Sequence, residues 1–233
     1  MIVWFESCAS TQIEAARLAR QGCPSGAVVG ADEQTAGYGR QGRAWHSERG
    51  SGLYVSIVLR LAIPPGSFPV LSLALGLATA ESIANSTGLT CDLRWPNDVL
   101  VGEKKCAGVL VETERPAFIA GIGINVNQSA FPEDIAELAT SLRLASGRPH
   151  SRDQLLTNLL ESVDRFTAIL VDEGRDAIIE AFSRASSYVQ GKRVVVDTME
   201  GVTDGLDPSG FLYLRRPDGA RTLILAGGLR PAG

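Results

Sequence analysis

The chain has 233 residues, a formal net charge of −4, and 45% hydrophobic against 21% charged residues. That composition suits one large globular domain, or a medium domain with a small one, and supplies enough apolar side chain for a sizeable core. The mild negative charge and the lack of a long basic run argue against non-specific binding to nucleic acid or a membrane surface.

The start, "MIVWFESCASTQ", has no basic segment ahead of a long apolar one, so no signal peptide is expected. "FESCASTQIEAARLAR" begins as a strand and turns into a helix. Ser10 or Thr11 can cap it, and Thr11 to Glu14 fits a capping box. A strand over Ala27–Ala31 follows, then a glycine-rich loop, then a strand over Leu53–Leu61. "IPPGSFP" is a turn cluster. The apolar run from Val70 to Asn85 reads as a core helix, interrupted by Glu81 and too short to cross a bilayer. These features predict a soluble, cytoplasmic protein.

"LTCDLRWPNDVLVGEKKCAGVLVETE" reads as three short strands with turns at Pro96–Asp98 and Gly102–Lys104. "PAFIAGIGINVN" is another strand, and its internal Gly121 and Gly123 mark a close approach by a ligand or another chain segment. From Ser151 the period becomes helical: Leu155, Leu156, Leu159, Leu160, Val163, Phe166, Ile169 and Leu170 share a face, Ser151 to Gln154 fits a capping box, and a second helix runs over 175–186. After Gln190 short strands alternate with hairpin turns at Pro208–Gly210 and Pro217–Gly219. That stretch is too small to stand alone and is expected to dock as a small β-barrel on the main domain. The division expected is 1–189 and 190–233.

Cys8, Cys23, Cys91 and Cys106 form no C-x-x-C pair, and His46 and His150 lie far apart, so packing thiols and no metal site are expected.

The chemistry concentrates in three places. Gly37, Gly39 and Gly42 fit G-x-G-x-x-G, but no helix opens after them, and no Asp or Glu occurs from Arg49 to Ala80 to meet a ribose. A dinucleotide turn is therefore rejected. The loop carries Arg40 and Arg43, which suit an anionic ligand that the loop folds over; a solvated hairpin with surface arginines is the competing reading. In "RWPNDVLVGEKKCAG", Asn97 and Asp98 could meet a nucleotide or a magnesium ion, and Lys105 a carboxylate substrate; plain turns with surface charge would look the same. Glu112 and Glu114 read as solvated. Ser10 to Gln12 could bind a polar ligand at a helix N-terminus, or only cap the helix. The residues alone reach a soluble α/β enzyme that binds an anion.

Taken in order, "STQ", "EQTAGYGRQGRAW", "RWPNDV", "KCAGVLVE" and "GIGINVN" resemble the biotin–protein ligases, over nearly the whole chain. The resemblance implies an α/β (α+β) catalytic domain like that of class II aminoacyl-tRNA synthetases, with a mixed, mainly antiparallel sheet, and a C-terminal SH3-like β-barrel. It implies activation of biotin by Mg²⁺ and ATP to biotinyl-5′-AMP, then transfer to a lysine of a biotin carboxyl carrier domain. It implies catalytic roles for Arg40, Lys105 and Asp98. It places biotin against Ser10, Thr11, Gln12, Gln34, Tyr38, Gly39, Arg40, Lys105 and Gly108, and the nucleotide against Arg43, Trp45, Asn97, Asp98 and Asn125. No protein-bound metal, nucleic acid or membrane is expected, and relatives occur as monomers and as homodimers. The chain starts directly at the catalytic domain, so no DNA-binding winged helix or repressor role is expected.

The loop departs from the usual Gly-Arg-Gly-Arg-Arg-Gly, with Tyr38 and Gln41 in place of two arginines, which is expected to weaken retention of the adenylate. A lipoate or octanoate ligase and a non-catalytic biotin-sensing module are the alternatives.

Overall fold

The computed structural model describes residues 1–64 and 66–232. Pro65, in the expected turn after the second strand of the loop hairpin, and Gly233, the last residue of the expected barrel, lie outside the described residues. The elements in chain order are β1 (Ile2–Phe5), α1 (Thr11–Arg20), β2 (Ala27–Ala31), β3 (Gly52–Leu59), α2 (Phe68–Thr87), β4 (Asp92–Arg94), β5 (Asp98–Val101), β6 (Lys104–Glu114), β7 (Ala117–Asn125), α3 (Leu142–Ser146), α4 (Arg152–Asp172) and α5 (Arg175–Ala185). Then come β8 (Gln190–Val196), β9 (Met199–Leu206), β10 (Leu212–Arg215), β11 (Arg221–Ile224) and β12 (Leu229–Pro231).

Seven strands form one sheet in the order β1-β2-β3-β7-β6-β5-β4. Only β1 and β2 pair in parallel, so the sheet is mixed and mainly antiparallel, as expected. The second sheet, β11-β10-β9-β8-β12, is antiparallel throughout and forms the small SH3-like unit.

Alternation along the central strands divides the large sheet into two unlike faces. On one face Leu53, Val55 and Ile57 of β3, Val109 and Val111 of β6, and Ala120, Ile122 and Ile124 of β7 pack beneath α2, α4 and α5. Helix α2 is buried nearly all round, from Val70 to Ile83. At 20 residues it is longer than the sequence suggested and long enough to cross a bilayer, so shortness is not what rules on its place; here it is the core helix.

On the opposite face, among the described residues, α1 is the one helix that packs, over a small cluster of Ala15, Ala19, Val29, Val58 and Ile119. Beyond α1 that face presents Ser56, Gly108, Gly121 and Gly123, and the long β2–β3 loop crosses over it. Large side chains on one face and glycines on the other thus leave a space where the sheet is widest.

Val194, Val196, Leu212, Leu214 and Leu229 of the small sheet join the main core. The indole N–H of Trp95 donates to the carbonyl of Gly210 at 2.9 Å, tying the turn between β9 and β10 to the "RWPND" segment.

Candidate functional site: a glycine-floored cationic cavity

The space under the β2–β3 loop is a cavity of about 590 Å³, within the range of small-molecule and cofactor sites. All the expected catalytic and ligand-binding residues border it: Ser10, Thr11, Gln12, Gln34, Tyr38, Gly39, Arg40, Arg43, Trp45, Asn97, Asp98, Lys105, Gly108 and Asn125. They come from α1, the loop, β5, β6 and β7, so the fold gathers segments far apart in the chain.

The floor explains the glycines within the strands. Gly108 and Gly123 sit opposite each other in the β6–β7 register, with Gly121 next along β7. A Cβ on Gly123 would lie 2.5 Å from the Trp45 ring, and one on Gly121 2.6 Å from Gln12 Oε1. The indole of Trp45 and the amide of Gln12 therefore lie flat on backbone. The Trp45 indole N–H is buried and has no partner among the described residues.

One end of the cavity is uncharged and tightly hydrogen-bonded. Gln12 Nε2 donates to the Ile119 carbonyl (3.0 Å), Ser56 Oγ donates to Gln12 Oε1 (3.0 Å), and Thr11 Oγ1 meets Ser56 Oγ at 2.9 Å. The Thr11 backbone N–H donates to Gln34 Oε1 (2.9 Å), and Gln34 Nε2 donates to Ser47 Oγ (3.0 Å). The Thr11 hydroxyl also donates to Gln34 Oε1 (3.1 Å), and with Gln12 Nε2 held by the Ile119 carbonyl and Gln34 Oε1 by the Thr11 N–H the orientation of each amide is fixed. The N-terminus of α1 is capped by Ser10, whose Oγ accepts from Gln12 N, so the Thr11–Glu14 capping box is not formed. Thr11 is freed for the network, and Glu14 pairs instead with Arg17 at 2.9 Å.

The rest of the wall is cationic. Arg40, Arg43, Arg94, Lys105 and Arg230 face it, with Asp98 as the one carboxylate among the described wall residues. Lys105 Nζ lies 2.5 Å from Asp98 Oδ1, and Arg94 Nη2 lies 2.8 Å from Asp98 Oδ2. Burial alone would raise the Asp98 carboxyl. The charges of Lys105 and Arg94, and the hydrogen bonds they donate, outweigh burial and hold it below its ordinary value. The Arg40 guanidinium is lowered by burial, an effect Asp98 opposes and Arg43 adds to; it remains a cation at neutral pH. Arg40 Nη1 donates to Asn97 Oδ1 (3.3 Å) and to the Gly227 carbonyl (3.4 Å), reaching from the loop to the small sheet.

A break in strand alternation aims Lys105 at the cavity. Leu100 pairs with Lys105 and Val99 with Ala107, so Cys106 is an extra residue, and both Cys106 and Ala107 point into the core. The bulge flips the parity, and Lys105 faces the same side as Gly108. Its backbone is held by the neighbouring segment, with N–H to the Leu138 carbonyl (2.8 Å) and C=O from Thr140 N–H (2.9 Å).

Several wall residues went unread in the sequence. Ser47 and Ser56 complete the polar network, and Phe131, Ile135 and Leu138 come from a segment with no periodic pattern. The apolar residues spaced among Glu133, Asp134 and Glu137 were the only signal there. Glu112 corrects the expectation of a solvated side chain: it is half-buried and accepts from the Tyr38 hydroxyl at 3.1 Å. Glu114 pairs with Arg20 at 2.6 Å. The loop forms no helix beyond a single turn at Arg40–Gly42, in keeping with the rejection of a dinucleotide fold.

The chain is similar to known proteins. The model of the biotin/lipoate A/B protein ligase family matches residues 4–129. The bifunctional ligase/repressor BirA of Bacillus spizizenii is 33% identical over 97% of this chain and 72% of its own length. The biotin–[acetyl-CoA-carboxylase] ligase of Mycobacterium tuberculosis is 32% identical over 87% of this chain and 77% of its own. The biotin protein ligase of Aquifex aeolicus, solved in complex with biotin and ATP, superposes with a TM-score of 0.86 at 32% identity, covering 99% of each chain. With more than half of its length matched by the family model and near-complete coverage by these relatives, the chain belongs to the biotin/lipoate A/B protein ligase family.

Proposed function

We propose that this protein is an ATP-dependent biotin ligase that activates biotin as biotinyl-5′-AMP and transfers the biotinyl group to a lysine of a biotin carboxyl carrier domain. The observation that carries the proposal is the cavity's polarity: a fixed, uncharged hydrogen-bonding end joined to a cationic end. A neutral ureido ring suits the first and two reacting anions the second. Relatives named for biotin support biotin over lipoate as the acid.

In the first step an oxygen of the biotin carboxylate attacks the α-phosphorus of ATP, and pyrophosphate leaves with the electron pair of the broken P–O bond. Two anions must approach each other, and Arg40 and Lys105 lower that barrier by facing the charge with fixed donors. Lys105 takes the carboxylate, held in reach by Asp98 and by the bulge at Cys106. Arg40 spans the α-phosphate and the anhydride. Ser10, Thr11, Gln12 and Gln34 hold the ureido end, with Ser56 fixing Gln12. Trp45, Arg43, Asn97 and Asn125 flank the nucleotide.

In the second step the carrier's lysine amine attacks the acyl carbon and AMP departs as the leaving group, giving an amide. The β2–β3 loop shields the anhydride from water between the steps. Asp98, the one wall carboxylate, is already engaged by Lys105 and Arg94, which fits a magnesium ion that arrives on the ATP phosphates better than one held by the protein alone. Bound there, magnesium would neutralise phosphate charge. Incubation with ATP, biotin and an isolated apo carrier domain should add one biotinyl group to one lysine; an unmodified carrier under those conditions would refute the transfer step.

A further inference from the structure

Glu112 has no place in the chemistry above, yet its carboxylate is half-buried behind the cavity-lining Tyr38 and forms no ion pair among the described residues. Its partner is the Tyr38 hydroxyl, 3.1 Å away. Glu112 lies opposite Ile119 in the β6–β7 register, and Ile119 is the residue whose carbonyl anchors Gln12. The Tyr38–Glu112 bond therefore sits at the uncharged end of the cavity. At the other end the loop is anchored by Arg40 on Asn97 and Gly227. Both anchors lie on the first arm of a tight hairpin, Tyr38 near its base and Arg40 at its tip: Gly39 N–H donates to the Arg43 carbonyl (2.8 Å) and Trp45 N–H to the Gly37 carbonyl (2.9 Å). Pinned near its base by Tyr38 and at its tip by Arg40, the hairpin must break these bonds to lift off the cavity.

We propose that Glu112 is a positioning residue for the ligase reaction: acting through Tyr38, it latches the glycine loop over the uncharged end of the cavity and slows escape of the acyl-adenylate. The proposal rests on the ligase function. With Tyr38 and Gln41 uncharged, the loop grips anions through Arg40 and Arg43 alone, and the latch supplies closure that further cations would otherwise give. The Tyr38 phenol is a sound donor for this. It is pushed up to about 12 by burial first, then by the charge of Glu112 and the hydrogen bond to it, so it keeps its proton at any working pH.

The test uses Tyr38→Phe, Glu112→Leu, Glu112→Gln and the double variant Tyr38→Phe/Glu112→Leu of the full chain. Biotinyl-adenylate is formed in place and its release followed by rapid mixing with excess unlabelled biotin and ATP. Loss of a hydrogen bond to a carboxylate should speed release about tenfold in Tyr38→Phe and in Glu112→Leu. The double variant should be no faster than either single one, because both remove the same bond. Glu112→Gln keeps a neutral acceptor and should be only about threefold faster. Thermal midpoints should stay at the parent value, separating a latch from a general loss of structure.

A second readout needs no ligand: trypsin should cut after Arg40 and Arg43 faster in Tyr38→Phe and Glu112→Leu than in the parent. Parental release rates in both single variants, or additive effects in the double, would overturn the latch. If the parent makes no adenylate, the ligase function fails by itself, and unchanged trypsin cleavage would then overturn the latch independently.

Discussion

Replacing Gly123 by alanine adds one methyl group at the point where the cavity floor has no room for it. The new Cβ would lie 2.5 Å from Cε2, 2.6 Å from Nε1 and 2.8 Å from Cζ2 of Trp45. Carbon atoms in contact settle at about 3.5–4 Å, so the indole must retreat by about 1 Å. The retreat lifts the ring off the floor that Gly108 and Gly123 share, toward the Lys105 ammonium 5.1 Å from its centroid and into the space the reactants need. Overpacking of this kind costs about 1–3 kcal/mol of stability. A misplacement of about 1 Å beside reacting groups costs on the order of 10²-fold in rate. Biotin-dependent exchange of pyrophosphate into ATP should therefore fall by about that factor in Gly123→Ala. Gly76→Ala is the control. It lies in α2, where the new Cβ would meet Phe182 at 3.6 Å and Leu93 at 3.8 Å, ordinary contact distances. Alanine favours a helix over glycine by about 1 kcal/mol, so Gly76→Ala should leave exchange unchanged and raise the thermal midpoint by about 2–4 °C. Exchange within twofold of the parent in Gly123→Ala would show that the Trp45 platform does not position the reactants.

Ser56→Ala removes the donor to Gln12 Oε1 and the hydroxyl partner of Thr11 Oγ1 at a fully buried position. It should raise the KM for biotin about tenfold with a smaller change in kcat; an unchanged KM in steady-state assays would separate the network from biotin binding. Arg40→Ala and Lys105→Ala should each lower pyrophosphate exchange by about 10²–10³-fold while the fold persists by circular dichroism. Asp98→Asn leaves Lys105 and Arg94 without their counter-charge and should cost about 2 kcal/mol in urea unfolding at pH 7. The folded Asp98 carboxyl is depressed, so its contribution is full above the ordinary carboxylate value, about 3.9, and is lost as pH falls through the lower folded value. The stability difference between parent and variant should therefore hold from pH 8 to 5 and shrink only below about pH 4. The release-rate effect of Tyr38→Phe should be the same at pH 6 and pH 9, since the Tyr38 phenol titrates only near about 12.

Much of the site was legible in the chain because its residues cluster in short, compositionally unusual runs. Arg40 and Arg43 stand among glycines, Asn97 and Asp98 follow Pro96, and Gly121 and Gly123 interrupt an otherwise β-branched strand. The strands Ala27–Ala31 and Ala117–Asn125 follow from short apolar, β-branched runs, and the helix Arg152–Asp172 from its helical period. What local pattern could not show was pairing across the sheet. Lys105 faces the cavity only because Cys106 is an extra residue against β5, a fact of register between two strands. Ser56 alternates among apolar neighbours like any strand serine, and only the fold places it between Thr11 and Gln12. Glu112 looked like a surface charge because its partner, Tyr38, lies 74 positions earlier in the chain. The segment 128–140 lacks any period because it follows the rim of the cavity, where neither helical nor strand alternation is imposed.

The measurement that bears most directly on the proposed function omits the carrier. Purified protein is incubated with Mg-ATP and either biotin or lipoate, and acyl-adenylates are sought by mass spectrometry. Biotinyl-5′-AMP and pyrophosphate with biotin, and no lipoyl-AMP with lipoate, is the expected result. Lipoyl-AMP alone would contradict the match between a ureido ring and the Gln12–Ser56–Thr11–Gln34 network, and no adenylate from either acid, with the protein folded, would contradict catalysis by the Arg40–Lys105 pair.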